Sequence, residues 1–420
     1  MAMRRVAVTG LGLVNPFGGQ DVNAFFESLL QGRSAVTTRE WSPTDRPLIT
    51  PFVSCSAFVG EEVLGKPLAS MMDRFCQLGI GAAFAAWEDA GLTRKPAEGQ
   101  GRDRWGVSWG TALGGIMAHD RYYEASFLRG RERASPLSVL MGMNNAVPAH
   151  ASIQLGLGGM SSTHSDACAS SAMAIGEAFQ QIRTGQADVV LAGGSETPQA
   201  YAVMRAWESL RVLAAVPESG GAASACRPFA RGRDGLVLGE GAAALVLEDW
   251  EHARQRGATI IAELAGFGAS SDHSHLVRPS ADGQVRALRA ALADAQMSVA
   301  DIGYVNAHGT ATIEGDVAEV KALARVFGEG AAALPVSSSK SMHGHLLGAA
   351  GAMEALVTVQ ALKHRVLPPT AHLAGRHDDA CHCVDLFTEA REARDIGAAV
   401  SSSFAFGGGN AVLVFRQTRD

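Results

Sequence analysis

Short apolar runs ending in Gly or Ser, alternating with longer Ala-rich stretches, constrain this chain most. Val6–Gly10, Trp105–Gly110, Asp188–Gly193, Ala242–Leu247, Ile302–Ala307, Pro335–Ser338, Ala398–Ser402 and Ala411–Phe415 have the length and boundaries of buried strands. Met71–Ala90, Cys168–Thr184, Gly283–Ala295, Asp316–Phe327 and His345–Lys363 have the length and composition of helices. The alternation predicts a layered α/β architecture with sheets covered by helices. At 420 residues the chain is long enough for a large core and two structural halves. A soft boundary falls near residues 248–257, where a strand gives way to a charged segment. No internal sequence repeat is evident.

Bulk properties exclude several classes. Hydrophobic residues make up 47% and charged residues 19%, the balance of a globular protein rather than a disordered one. A net charge of -6 and the lack of a basic stripe with interleaved aromatics argue against nucleic-acid binding. No apolar run reaches membrane-spanning length, and residues 1–10 read as a first strand rather than a signal peptide. Cys55, Cys76, Cys168, Cys226, Cys381 and Cys383 are scattered, so a disulfide framework is not expected and a reducing cytoplasm fits best.

One cysteine stands apart. Cys168 lies among small residues, Ser165-Asp166-Ala167-Cys168-Ala169-Ser170-Ser171, at the start of a helix that Gly185 is placed to end. The helix dipole there favours thiolate, and small neighbours leave room for a substrate. A nucleophile carrying a covalent intermediate is the natural reading. Three further segments carry polar chemistry. His308 follows a strand in Val305-Asn306-Ala307-His308-Gly309-Thr310-Ala311-Thr312. Lys340 and His345 lie in Ser339-Lys340-Ser341-Met342-His343-Gly344-His345, ahead of a Gly/Ala-rich helix whose Glu354 is the nearest partner for a buried lysine. Phe404-Ala405-Phe406-Gly407-Gly408-Gly409-Asn410 is a glycine loop between two strands, with N–H groups free to meet a developing oxyanion.

Other patterns are weak. Gly60–Lys66 has phosphate-loop spacing, but Pro67 stands where a hydroxyl must meet magnesium. Gly10-Leu11-Gly12 lacks the third glycine of a dinucleotide fingerprint and reads as a tight turn. Cys381-His382-Cys383 has no second cysteine pair at zinc spacing. No metal and no cofactor are expected.

Taken in order, the Cys168 elbow, the His308 segment, the Lys340–Gly351 segment and the glycine loop resemble the β-ketoacyl-[acyl-carrier-protein] synthases, specifically the type II elongating enzymes of fatty-acid and polyketide synthesis. The blocks Arg227-Pro228-Phe229 and Arg233–Gly241 add to a resemblance that spans the whole chain. It implies a thiolase fold, five-layered α-β-α-β-α, with similar halves at 1–255 and 256–420, and an obligate dimer. It implies decarboxylative condensation of a Cys-bound acyl group with malonyl carrier protein. Cys168 would be the nucleophile, His308 and His345 the two imidazoles, and Lys340 with Glu354 a supporting ion pair. The N–H groups of Cys168 and Phe406 would form the oxyanion hole. Thr310 and Thr312 would bond the phosphopantetheine arm, and Phe404 and Phe406 would line its path.

Departures from the family pattern carry expectations of their own. Ala405 and Gly409 replace a glycine and a threonine of the gating loop, and Val277 removes a hydroxyl from the arm's path. Leu113 matches a family position that limits chain depth, while Ser138 is small where an aromatic is frequent and Trp207 is bulkier than usual at a gate. These changes suggest an unusual acyl group, polyene or aryl-capped, in a specialised pathway. Arg129, Arg131, Arg133 and Arg211 are candidates for docking the acidic acyl carrier protein. The partner subunit is a second copy or a chain-length-factor-like chain. The alternative is a noncatalytic ketosynthase-like partner or scaffold subunit.

Overall fold

The computed structural model describes residues 3–41, 45–96 and 101–418. Ten strands of an eleven-stranded sheet build the core, the eleventh being the short edge strand Asp385–Leu386: β1 (Val6–Val14), β2 (Trp105–Gly110), β3 (Ser161–His164), β4 (Val189–Glu196), β5 (Gly241–Asp249), β6 (Ala262–Ser271), β7 (Ile302–Asn306), β8 (Pro335–Ser337), β9 (Ala398–Phe404) and β10 (Gly409–Arg416). Six helices cover them: α1 (Arg74–Asp89), α2 (Ala146–Leu155), α3 (Ser170–Arg183), α4 (Ala281–Asp294), α5 (Ile313–Phe327) and α6 (Ala350–His364).

The strand order exposes a duplication that the sequence hides. The first half runs β1-β5-β4-β2-β3 and the second β6-β10-β9-β7-β8. In each, the first two pairings are antiparallel and the next two parallel. The halves meet where Val6–Val8 of β1 pairs with Ala262–Leu264 of β6.

Helices α3 and α6 pack against each other and against strands of both halves. They form the central layer, while α1 and α2 cover one sheet and α4 and α5 the other. The result is α-β-α-β-α, the thiolase fold. Sequence explains the middle position of α6: Ala350 through Leu362 are all buried, the pattern of a helix apolar all round. None of the described helices is long and apolar enough to cross a membrane.

Small residues set the layer spacing. Gly10-Leu11-Gly12 is not the expected turn but the middle of β1. A Cβ at Gly10 would meet the Ala86 carbonyl at 2.2 Å, and one at Gly12 the Ala82 carbonyl at 2.2 Å. These glycines serve close approach of α1 rather than chain reversal. Two further corrections concern helix starts. Cys168 and His345 precede their helices, which begin at Ser170 and Ala350.

Because the atoms facing Gly12 are main chain and cannot yield, Gly12→Ala is expected to destabilise the fold by about 1–3 kcal/mol, the usual cost of overpacking. A denaturant-unfolding midpoint unchanged from wild type would refute this account of the layer contact.

Candidate active site

Both halves build the same turn at the head of their central helix. Ala167 and Leu347 each adopt φ of +47°. Each opens a 3₁₀ turn, Ala167–Ala169 and Leu347–Ala349, that runs directly into α3 or α6. Positive φ at a residue with a Cβ is costly and persists where surrounding structure over-determines it. The turn aims the next residue inward: Cys168 in the first half, Gly348 in the second. The two turns touch.

Cys168 is 5% exposed, and His345 Nε2 lies 3.0 Å from its sulfur. His308, delivered by the end of β7, stands edge-on to His345 with ring centroids 5.4 Å apart. One ring nitrogen from each histidine and the Cys168 sulfur all fall within 4.8 Å of one another. The backbone N–H of Phe406, in the glycine loop after β9, donates to the Cys168 sulfur.

Lys340 and Glu354, both wholly buried, form an ion pair. Lys340 Nζ also lies 3.4 Å from His308 Nδ1. An ammonium only donates, so Nδ1 is the acceptor and the neutral ring carries its proton on Nε2. His345 Nδ1 has no hydrogen-bond partner among the described residues, so nothing there fixes its tautomer.

Burial, reinforced by the Lys340 charge, pushes His308 and His345 well below the ordinary imidazole range, and both are neutral at pH 7. Burial also pushes the Cys168 thiol up to about 12, against the opposing pull of Lys340 and the Phe406 amide. The expected thiolate is therefore corrected: at rest the sulfur is protonated. Removing a full charge from water costs more than half a charge at a helix end returns.

Carboxylates that the sequence did not single out brace the site. Glu319 accepts from the His308 N–H at 2.7 Å, the Gly309 N–H at 2.8 Å and the Ser402 hydroxyl at 2.9 Å. Asp316 accepts from the Phe229 N–H at 2.7 Å and the Ala311 N–H at 3.2 Å, and pairs with Arg233 at 3.1 Å. Arg233 donates to the Thr312 and Ile313 carbonyls at 3.3 and 3.0 Å, which pins the loop where Ala311 adopts φ of +66°. A signal was present. Asp316 and Glu319 share the face of α5 that carries Val320, Leu323 and Phe327, all buried.

A pocket of about 420 Å³ reaches Cys168, His308 and His345 from the surface. Thr310, Thr312, Phe404, Phe406, Val277 and Arg211 line it. Thr310 and Thr312 place their hydroxyl oxygens 3.0 Å apart. Leu113, Ser138 and Trp207 do not line this pocket. Leu113 and Trp207 pack in the apolar cluster behind Cys168 instead, with Trp207 stacked on Phe406 at 5.8 Å between centroids. Ser138 is half-buried on the short helix Ser138–Gly142, beside exposed Val139 and Leu140. Arg129, Arg131 and Arg133 are exposed away from the pocket, Arg129 paired with Glu124, and only Arg211 is at its mouth. Cys381 is buried and Cys383 half-buried. The one Cys/His/Asp/Glu group among the described residues with metal-ligating spacing is the Cys168–His308–His345 set itself.

A thiolase fold with a cysteine at the head of a central helix and two imidazoles converging on it defines a condensing enzyme. Comparison with known proteins gives the family. The Beta-ketoacyl synthase, N-terminal domain matches residues 3–253, and the Beta-ketoacyl synthase, C-terminal domain matches 261–374. The chain belongs to the beta-ketoacyl synthase family. It is 40% identical to Nodulation protein E of Rhizobium sp. (strain N33), over 99% of each chain. It is also 40% identical to 3-oxoacyl-[acyl-carrier-protein] synthase 2 of Vibrio cholerae, over 99% of this chain and 100% of that one. Among solved structures, the ishigamide ketosynthase/chain length factor matches with a TM-score of 0.89 at 30% identity, covering 100% of both chains. A type II PKS acyl-carrier protein in complex with its ketosynthase bound to the hexaketide matches at TM-score 0.88 and 31% identity, covering 99% of this chain and 100% of that one.

With the thiol pushed up to about 12, alkylation of Cys168 by iodoacetamide is expected to keep accelerating with pH beyond pH 9. Peptide-mapped labelling rates from pH 6 to 10 test this. A plateau below pH 8 would show instead that the helix dipole outweighs burial.

Proposed function

We propose that this chain extends acyl groups by two carbons, joining a Cys168-bound acyl chain to malonyl units delivered on an acyl carrier protein. The observation that carries this reading is the convergence of Cys168, His308 and His345 within 4.8 Å at the end of the pocket.

In the first half-reaction the Cys168 sulfur attacks the carrier thioester. His345 Nε2, 3.0 Å away, takes the thiol proton. The tetrahedral oxyanion is held by the N–H groups of Cys168 and Phe406. Collapse breaks the carbon–sulfur bond to the carrier, whose thiolate recovers the proton. The acyl group now sits on Cys168 and the imidazole is neutral again.

In the second half-reaction malonyl carrier protein threads its arm past Thr310 and Thr312. Breaking the carbon–carboxylate bond releases carbon dioxide and leaves an enolate. His308, whose proton Lys340 confines to Nε2, donates to the enolate oxygen, and His345, whose tautomer no partner at Nδ1 among the described residues fixes, donates beside it in its Nε2–H form. The enolate carbon attacks the acyl-Cys168 carbonyl, the carbon–sulfur bond breaks, and the cysteine thiolate takes up one proton from solvent. Carboxylates in place of the imidazoles would repel the enolate. A Lys340 ammonium beside His308 also disfavours a metal cation bound between the rings.

The relatives' names support carrier-borne substrates, and solved neighbours include ketosynthases with an acyl-carrier protein or a chain length factor. We propose that the acidic carrier docks at Arg211, with Arg129, Arg131 and Arg133 reached on the assembled dimer. Phe127 and Leu128, 80% and 74% exposed, with Val139 and Leu140 form an apolar surface suited to a second copy or a chain-length-factor-like subunit. Residues 1–255 and 256–420 are the two halves of the fold. Six cysteines without disulfides favour the cytoplasm. The small Ser138 favours a specialised acyl group over a plain saturated chain.

Cys168→Ala is expected to abolish the acyl-enzyme seen by intact-protein mass spectrometry. His308→Ala and His345→Ala are expected to slow malonyl decarboxylation by about 10²–10³-fold, the usual loss for an oxyanion donor, while retaining some acylation. Normal condensation by either histidine variant would refute this division of roles.

A further inference from the structure

Cys168 has a structural counterpart in the second half, and that counterpart is occupied. Leu347 repeats the +47° φ of Ala167, and Leu347–Ala349 repeats the 3₁₀ turn of Ala167–Ala169. Gly348 therefore stands where Cys168 stands. Its N–H, the equivalent of the Cys168 oxyanion donor, donates to Glu196 Oε2 at 3.1 Å. Glu196 closes β4, and its carboxylate also accepts from the Ala112 N–H at 2.6 Å, the Leu113 N–H at 3.2 Å and the Thr111 hydroxyl at 3.2 Å. It is fully buried, and no cation pairs with it among the described residues. A Cβ on Gly348 would fall 2.7 Å from Glu196 Oε2 and 2.3 Å from the Ala112 nitrogen. The second turn thus has space for an anion and none for a nucleophile.

Buried carboxylates without a cation are expensive, and backbone donors offset only part of that cost. Burial pushes the Glu196 carboxyl up to about 7 even with those donors in place. A group so costly is retained where it fixes something. What it fixes packs beside the nucleophile: Ala112 and Leu113 lie against the apolar cluster that contains Cys168, Leu347 and Trp207.

We propose that Glu196 is a positioning residue: an internal anion filling the second-half counterpart of the oxyanion site, which clamps the Thr111–Leu113 turn to the head of α6 and so sets the wall against which the acyl chain of the acyl-Cys168 intermediate lies. This rests on the condensing reaction proposed above and adds a determinant of acyl acceptance to it. Glu196 touches no reacting atom; it acts on the wall through Leu113 and Gly348, and its charge separately helps push the Cys168 thiol up, an effect that does not vary with acyl length. Displacing the wall matters more as the acyl chain lengthens, because a longer chain contacts more of it. Malonyl decarboxylation, which depends on His308 and His345, does not depend on that wall.

The test is Glu196→Gln, which keeps the shape but turns an NH₂ group toward backbone donors. Acylation of Cys168 from carrier-bound acyl groups of two to twelve carbons is followed by intact mass, with malonyl decarboxylation followed separately. The expected result is a loss growing from under about threefold for the shortest acyl group to above tenfold for the longest, with decarboxylation within about twofold of wild type. A uniform loss across lengths, or a parallel loss of decarboxylation, would overturn the proposal and leave Glu196 a general stabiliser. Should Glu196→Gln fail to fold, Thr111→Val removes one bond to the same carboxylate. It is expected to show the same length dependence at smaller amplitude, and a flat profile there overturns the proposal equally. If wild type makes no β-ketoacyl product at all, the underlying reaction fails instead.

Discussion

The Lys340–Glu354 ion pair is the interaction on which the site depends. Both side chains are completely buried, so neither charge survives without the other. An ion pair so placed is weak evidence of stability, since an apolar pair of the same volume would serve as well or better. Its value lies in the third contact. Glu354 pairs with the ammonium and aims it, and the ammonium reaches His308 Nδ1. Burial, reinforced by that contact, lowers the imidazole's affinity for a second proton, and the contact dictates which nitrogen holds the first. In the proposed mechanism a neutral donor of defined tautomer is what an enolate oxygen requires.

Architecture supplies the convergence. Two similar halves each end their central turn at one point, so residues 177 positions apart in sequence, Cys168 and His345, come within 3.0 Å. Duplication alone would have produced two equivalent turns. They have diverged: one bears a thiol facing a pocket, and the other a glycine against an internal carboxylate. Glu319 and the Arg233–Asp316 pair then hold the His308 strand end and the following loop by backbone contacts. Such contacts fix position without committing a side chain to the chemistry.

The eight apolar runs fold as strands, because buried strands of Val, Ile, Leu and Ala ending in Gly or Ser leave few alternatives. Of the ten core strands, two were silent. Ser161–His164 is polar and sits at the sheet's edge, so it lacks an apolar signature. Ala262–Ser271 carries Gly266 and Gly268, which look like breaks but admit α4: a Cβ at Gly268 would meet the Ala287 carbonyl at 2.2 Å. Gly10-Leu11-Gly12 misleads for the same reason. The reactive residues were legible because their types and order are unusual together. Their electrostatics were not. Helix position predicts thiolate for Cys168, and only the packing around the sulfur reveals that desolvation prevails. The bracing carboxylates lay on a helix face that reads as apolar, where each charged residue marks a partner across the fold. The surface arginines near 129–133 carry no local signal of which face they share with the pocket.

Nitrogen-15 chemical shifts of the histidine rings, followed from pH 8 to pH 5 in the intact protein, test the central claim most directly. The account predicts that His308 stays neutral throughout with its proton on Nε2, and that His345 stays neutral beside it. An imidazolium at His308 near pH 6.5, or a neutral ring protonated on Nδ1, would contradict it.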